Sequence, residues 1–397
     1  MLKEKSMYKI QTLNKISTTG LELFSREEYE VASEIMHPDA AIVRSFDMHA
    51  MTIPESIKVI ARAGAGVNNI PVDKCSQQGI AVLNTPGANA ESVKELVISS
   101  LFLSSRKIVQ GIAWAKTLIG KGDEVPKLIE KGKSNFEGPE IKGKTLGIIG
   151  LGAIGVKVAN DAISLGMNVI GYDPIISVEA AWELSRTVKR AQSLDGLLAK
   201  ADYITLHAPL NDKTKGMINK DKLALMKKGS RLINFARNGL VNNADLSVAI
   251  KEGIIACYIT DFPDEELLKL DGVISIPHLG ASTPEAEDNC AKMAVVQVKN
   301  FLEFGNIKNS VNFPDCEMEP AGRTRITIGN NNVPNMMGQI TTVLAAEKIN
   351  IADLLNKSKG DLAYNIIDVD NVVSEKVIEK LRKIDGVIMV RVIGNRK

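Results

Sequence analysis

The stretch GIIGLGAIG, residues 147–155, closes a branched apolar run with glycines at 150, 152 and 155. Such spacing also arises wherever a buried strand turns sharply, so its surroundings decide what it is for. Here KTLGIIGLG reads as a strand, AIGVKVANDAISLG as a helix and MNVIGYDP as a second strand. In a dinucleotide site Gly150 permits the tight turn, Gly152 lets a pyrophosphate approach the backbone, and Gly155 lets the helix pack close to the strand. The stretch Ala153–Ile154 opens the helix, whose free N–H groups and positive end favour phosphate. An acid ending the second strand completes the pattern by binding ribose hydroxyls. Asp173, 23 residues after Gly150, stands there. Its charge would repel a 2′-phosphate, so the expected cofactor is NAD, not NADP.

The 397 residues are too many for one ordinary core. From about residue 141, near-continuous apolar strands (DYITLHAP, SRLINFA, IIACYITDF, GVISIPHLG) alternate with amphipathic helices. That predicts a doubly wound parallel sheet covered on both faces, a Rossmann-type domain. AAIVRSF, IKVIARAG and IAVLNTPG in the first hundred residues predict a second α/β lobe of flavodoxin-like kind. AESVKELVISSLFLSSRKIVQGIAWAKTLI reads as one long helix bridging the lobes, and TPEAEDNCAKMAVVQVKNFLEFG as another that returns the chain to the first. The tail reads βαββαβ, a small α+β ferredoxin-like unit. The expected boundaries are 1–100 with 281–312, 101–280, a linker at 313–322, and 323–397.

Charge removes some partners. Forty-nine Lys and Arg against 47 Asp and Glu leave +2, no electrostatic basis for nucleic acid or a membrane surface. Four scattered cysteines lack metal-ligand spacing, so no metal is expected and a reducing compartment is. The N-terminus MLKEKSMYKIQTL has no apolar signal run, which points to the cytoplasm.

Oxidising an alcohol carbon needs a proton acceptor for the hydroxyl and a cation for the oxyanion and any carboxylate. Of four histidines, His37 and His49 fall in surface turns without evident partners. His207 ends a strand and reads as a wall beside the cofactor. His278, in ISIPHLGAST, follows a strand and a proline and is flanked by small residues that leave room for a ligand. Arg237 ends the strand of INFARNG, and Asp261, Glu265 and Glu266 lie between the two. A carboxylate on the imidazole would fix its tautomer.

RAGAGVNNI, NTPGANAESVKELV, the glycine turn, GYDP, KKGSRLINFARNG and IPHLGAST occur in the order found in the D-isomer-specific 2-hydroxyacid dehydrogenase family, which the chain resembles over almost its whole length. The resemblance implies catalysis by Arg237, Glu266 and His278, with Glu265 the alternative to Glu266. It adds cofactor contacts at Ala65, Ala208, Phe235, Ala236, Asp261, Leu279, Gly280 and Ala281. It puts substrate on Arg44, Ser45, the Gly64–Ala65–Gly66 backbone and Asn89, with Arg44 the chief cation for a phosphate. The tail resembles an ACT domain, and Asn330, Asn332 and Asn350 fall on the positions of an effector such as L-serine. Asn330 replaces a common histidine, Asn335 a glycine after Pro334, and Asn238 a glycine beside Arg237. The implied reaction is oxidation of 3-phospho-D-glycerate to 3-phosphooxypyruvate, the entry to serine synthesis, in a cleft between the lobes of a homodimer or homotetramer. The rival readings are a hydroxypyruvate or glyoxylate reductase and an NAD-responsive regulator without turnover.

Overall fold

The computed structural model describes residues 7–394. The chain forms two compact units, one running up to Asn89 and resuming at Pro284, the other comprising Ala90–Thr283.

In the first unit, β1 (Tyr8–Leu13), β2 (Tyr29–Ala32), β3 (Ala40–Val43), β4 (Val59–Arg62) and β5 (Ala81–Leu83) form a parallel sheet in the order β2-β1-β3-β4-β5. Its strands are short and apolar because both faces are covered. The Pro284–Phe304 helix supplies one cover, burying Ala294, Val295, Val298 and Phe301 completely.

The second unit holds β6 (Thr145–Ile149), β7 (Asn168–Tyr172), β8 (Lys189–Arg190), β9 (Tyr203–Leu206), β10 (Ser230–Asn234), β11 (Ile255–Thr260) and β12 (Val273–Ser275). Their order, β12-β11-β10-β9-β6-β7-β8, reverses direction between β6 and β9. Ligands of such sheets bind outside the carboxyl ends of the strands at that reversal.

The 90–119 segment is not one helix. It breaks at Lys107, which takes a left-handed conformation (φ 46°), and Ala90–Arg106 and Ile108–Lys116 meet at 63°. The hydroxyls of Ser104 and Ser105 bond back to the Leu101 carbonyl at the end of the first piece, a habit that favours termini over helix interiors. Among the described residues, no single helix is long and apolar enough to cross a membrane.

The tail strands β13 (Thr324–Asn331), β14 (Ile351–Lys359), β15 (Leu362–Val369) and β16 (Val387–Gly394) form an antiparallel sheet ordered β14-β15-β13-β16. One face packs Ile326, Ile328 and Ile367 against its two helices. The other buries Tyr364 and Ile366 with Phe301, Ile307, Phe313 and Cys316 of the same unit. Arg325 (4% exposed) and Asp368 (1%) pair there through two bonds of 2.7 and 2.8 Å. The 313–322 stretch therefore carries buried anchors.

Candidate active site

The three glycines after β6 occupy distinct environments. Gly150 has φ +95°, and a Cβ on it would lie 2.7 Å from the carbonyl carbon and oxygen of His207, at the end of β9. A Cβ on Gly155 would lie 2.0 Å from the Gly150 oxygen. One on Gly152 would meet nothing within 4 Å. The turn is thus closed at its two outer glycines and open at the middle one. Gly152 and Ala153 are exposed, Ile154 is half-buried, and no side chain caps the Ala153–Ser164 helix. Later helices of this unit are capped by Ser177, Ser193, Asn219, Asn242 and Asp264. An uncapped helix start beside open space at the switch point is what a pyrophosphate needs. Asp173 accepts the Leu151 N–H at 2.8 Å and the Ile175 N–H at 2.9 Å, one on each oxygen. Each oxygen keeps a lone pair for ribose hydroxyls. These residues fit NAD, which they would hold by its phosphates and ribose.

At the ends of β10, β11 and β12 lie Arg237, Asp261 and His278. Asn234, buried at the end of β10, shapes the first turn: its amide donates to the Arg237 carbonyl at 3.0 Å and its oxygen accepts the Ala236 N–H at 3.1 Å. Phe235 is buried, Ala208 and Ala236 are half-buried, and Arg237 is exposed. Asp261 is 3% exposed, with Oδ2 accepting the Gly280 N–H at 3.4 Å and Oδ1 buried without a hydrogen-bond partner. Burial raises its pKa, opposed by the charges of His278 and Arg237. Because β10, β11 and β12 are neighbours, Arg237, Asp261 and His278 follow adjacent strand ends. The imidazole of His278 is exposed and meets the Phe262 ring edge-on at 4.8 Å; Leu279 is exposed, Gly280 buried and Ala281 half-buried.

The structure does not bring Glu266 to His278. Glu266 is exposed on the short Glu265–Leu268 helix and bonds Lys269 at 2.7 Å, while Glu265 pairs with the same lysine at 3.3 Å. His207 bonds Thr205 at 3.0 Å, and burial pushes its pKa down to about 4, so it stays neutral. His49 has a partner after all, Asp47 at 2.6 Å.

In the first unit the glycine loop after β4 is held by Asn84, which donates to the Ala65 carbonyl at 2.6 Å, and by the Thr85 N–H on the Gly64 carbonyl. Gly66 and Asn89 are half-buried. Arg44 is ion-paired to Glu287 at 2.5 Å, and Ser45 accepts from Asn14 at 3.2 Å. Arg62, which sequence reasoning passed over, is the cation beside this loop: a Cβ on Gly64 would touch its Nη1 at 2.3 Å. Its place just ahead of the AGAG run was the available signal. Asn234, a polar residue ending an apolar strand, was likewise legible.

The expected effector residues are dispersed. Asn330 is 1% exposed and locked in a side-chain ladder with Asn365 (2.7 Å) and Asn356. Asn332 bonds the Gly360 carbonyl and Asn350 bonds Asp370, at opposite ends of the β14–β15 pair. Eight strand residues at about 3.3 Å each separate those ends, too far for one small ligand in one tail. Asn335, in the place of a glycine, adopts the left-handed conformation (φ 66°). Asparagine tolerates that region better than most residues.

The model of the D-isomer-specific 2-hydroxyacid dehydrogenase NAD-binding domain matches residues 99–280. The chain is 36% identical over 382 residues to a D-3-phosphoglycerate dehydrogenase of Methanocaldococcus jannaschii, covering 90% of this chain and 70% of that one. It belongs to the D-isomer-specific 2-hydroxyacid dehydrogenases and is an NAD-dependent oxidoreductase of that family. The D-3-phosphoglycerate dehydrogenase of Bacillus subtilis is 32% identical, over 78% of this chain and 59% of its own length, so that relative extends well beyond the match. Among solved structures, an NAD⁺-bound 3-phosphoglycerate dehydrogenase of Entamoeba histolytica aligns at TM-score 0.60 and 26% identity, over 77% of this chain and 99% of that one.

Proposed function

We propose that the protein catalyses the NAD-dependent oxidation of 3-phospho-D-glycerate to 3-phosphooxypyruvate, the first step of the phosphorylated route to L-serine. The observation that carries this is the open Gly152 cradle with Asp173 in one unit that also groups Arg237, Asp261 and His278, in a chain 36% identical to a D-3-phosphoglycerate dehydrogenase over most of its length. Gly150–Gly155 and Asp173 would hold NAD, which when bound would supply the hydride acceptor. His278 accepts the proton of the substrate hydroxyl, and Arg237 holds the C2 oxygen and the carboxylate. Glu266 steadies the imidazolium after leaving Lys269. Asp261, which accepts the Gly280 N–H of the turn that carries His278, is the specific alternative for that role. Arg62 joins Arg44 as a cation for the phosphorylated substrate, because Glu287 neutralises part of what Arg44 offers.

The same reading takes the protein as a cytoplasmic homodimer or homotetramer. Ile112 (55% exposed) and Ile119 (83%) stand out in water. They are the apolar contact positions for a second copy. An L-serine effector would require two tails, one giving Asn332 and the other Asn350. The test is initial-rate NADH oxidation with 3-phosphohydroxypyruvate against hydroxypyruvate, glyoxylate and 2-oxoglutarate, with and without L-serine. Preference for the phosphorylated acid is expected. Preference for another acid would keep the chemistry and discard the pathway, and no turnover with NADH still bound would favour the regulator.

A further inference from the structure

We infer that Ser92 is a positioning residue for the turn that carries His278, acting through the Gly280 peptide groups. The inference rests on the reading of His278 as proton acceptor. Ser92 stands in the first turn of the Ala90–Arg106 helix, and its Oγ donates to the Gly280 carbonyl at 2.8 Å. The Gly280 N–H is taken by Asp261 Oδ2. Both polar groups of one glycine are thus held by side chains from two other elements. The glycine also packs against its holders: a Cβ there would be in ordinary van der Waals contact, 3.5 Å from Asp261 Oδ2 and 3.5 Å from Val93 Cγ2, and Val93 is buried.

The holder is itself fixed. Lys94 binds Glu91 in the same helical turn and Asp161 at 3.0 Å. Asp161 belongs to the Ala153–Ser164 helix, whose start forms the phosphate cradle. Residues 277–283, by contrast, lie outside helix and strand; the ladder ends at the Ile276 N–H, which bonds the Thr260 carbonyl at 3.1 Å, and does not set their conformation. Within the turn, the Ser282 N–H and hydroxyl bond the Leu279 and His278 carbonyls, which shapes the turn but does not place it. Ser92, Asp261 and the Phe262 ring hold the turn from outside it. Ser92 is the one of these that touches neither the imidazole nor the expected cofactor, so its loss isolates positioning from chemistry.

The experiment compares wild type, Ser92→Ala and Ser92→Thr in the full chain. Turnover with 3-phosphohydroxypyruvate, NADH Kd, and hydrogen exchange of the 276–283 amides are read for each. Ser92→Ala is expected to lower kcat roughly tenfold, since small misplacement of a catalytic group is costly, with NADH Kd within about twofold. Exchange across 276–283 should quicken at least about threefold. Ser92→Thr keeps the hydroxyl and should restore both. Unchanged kcat and exchange in Ser92→Ala would overturn the inference. So would a loss that threonine fails to rescue, or one matched by an equal loss of NADH affinity. A wild type without turnover would instead sink the functional reading, and the exchange result would still decide whether Ser92 holds the turn.

Discussion

Gly150 and His207 approach so closely that a Cβ on the glycine would lie 2.7 Å from the histidine's carbonyl carbon. This contact joins the ends of β6 and β9 at the switch point, and it separates the structural glycines from the one left open. Gly150→Ala is expected to destabilise the fold by more than about 1 kcal/mol, from the clash and the positive φ together. Gly152→Ala should stay within about 0.5 kcal/mol of wild type yet bind NADH at least about tenfold more weakly. Thermal unfolding and NADH fluorescence titration distinguish the two.

His278→Ala should cut kcat by about 10²–10⁴ while leaving NADH Kd within about twofold, as loss of a general base does. Normal turnover in steady-state assays would remove His278 from the mechanism.

The acid beside His278 is decided by pH profiles. Glu266→Gln should shift the pH dependence of kcat, and Lys269→Ala, which frees Glu266, should raise kcat or leave it unchanged. An unaltered profile in Glu266→Gln with a shifted one in Asp261→Asn would move the role to the buried carboxylate.

His207 ties stability to acidity. Its pKa falls to about 4 on burial from an ordinary value of 6.5, so below about pH 6.5 the unfolded chain binds a proton that the folded one refuses. Stability should therefore fall as pH drops from about 6.5 toward 4, by at most about 1.4 kcal/mol per pH unit from this group. The stability difference between wild type and His207→Gln, read from urea unfolding, should be constant above about pH 7 and shift against wild type between about pH 6 and 4.

Arg325→Met would remove the partner of Asp368 in a buried ion pair, a break that costs about 3–5 kcal/mol. A double variant, Arg325→Met with Asp368→Leu, should recover part of that loss in chemical denaturation, the rest reflecting the Phe304 and Met318 carbonyls that lose Arg325 and the Ala321 N–H that loses Asp368.

Where one physical signal dominates, the sequence was readable. Strand–helix alternation marked the parallel sheets, the glycine spacing marked the turn, and the βαββαβ order marked the tail. The break at Lys107 escaped because the apolar period runs on through it, and only the left-handed residue after a serine-bonded last turn ends the first helix. Pairings across the fold were hidden for a different reason. Arg44 with Glu287 joins residues far apart in the chain, and Glu266 with Lys269 competes locally with any partner at His278. Composition names a charged residue but does not say which opposite charge reaches it first. The asparagines of the tail show the same limit: their identity was plain, and only strand register places Asn332 and Asn350 at opposite ends.

The Pro284–Phe304 helix ends on carbonyls that the tail covers. Arg391 donates to those of Phe301 and Leu302, Arg325 to that of Phe304, and Tyr364 to that of Gly305 just beyond. A truncation before residue 323 would strip donors from a helix end and bare Phe301, Ile307 and Phe313 to water. The tail is thus no detachable accessory. Grafting it onto another dehydrogenase, or trimming it away to make a minimal enzyme, would have to rebuild that seam first. For the same reason inheritance of this tail and of its helical seat should go together.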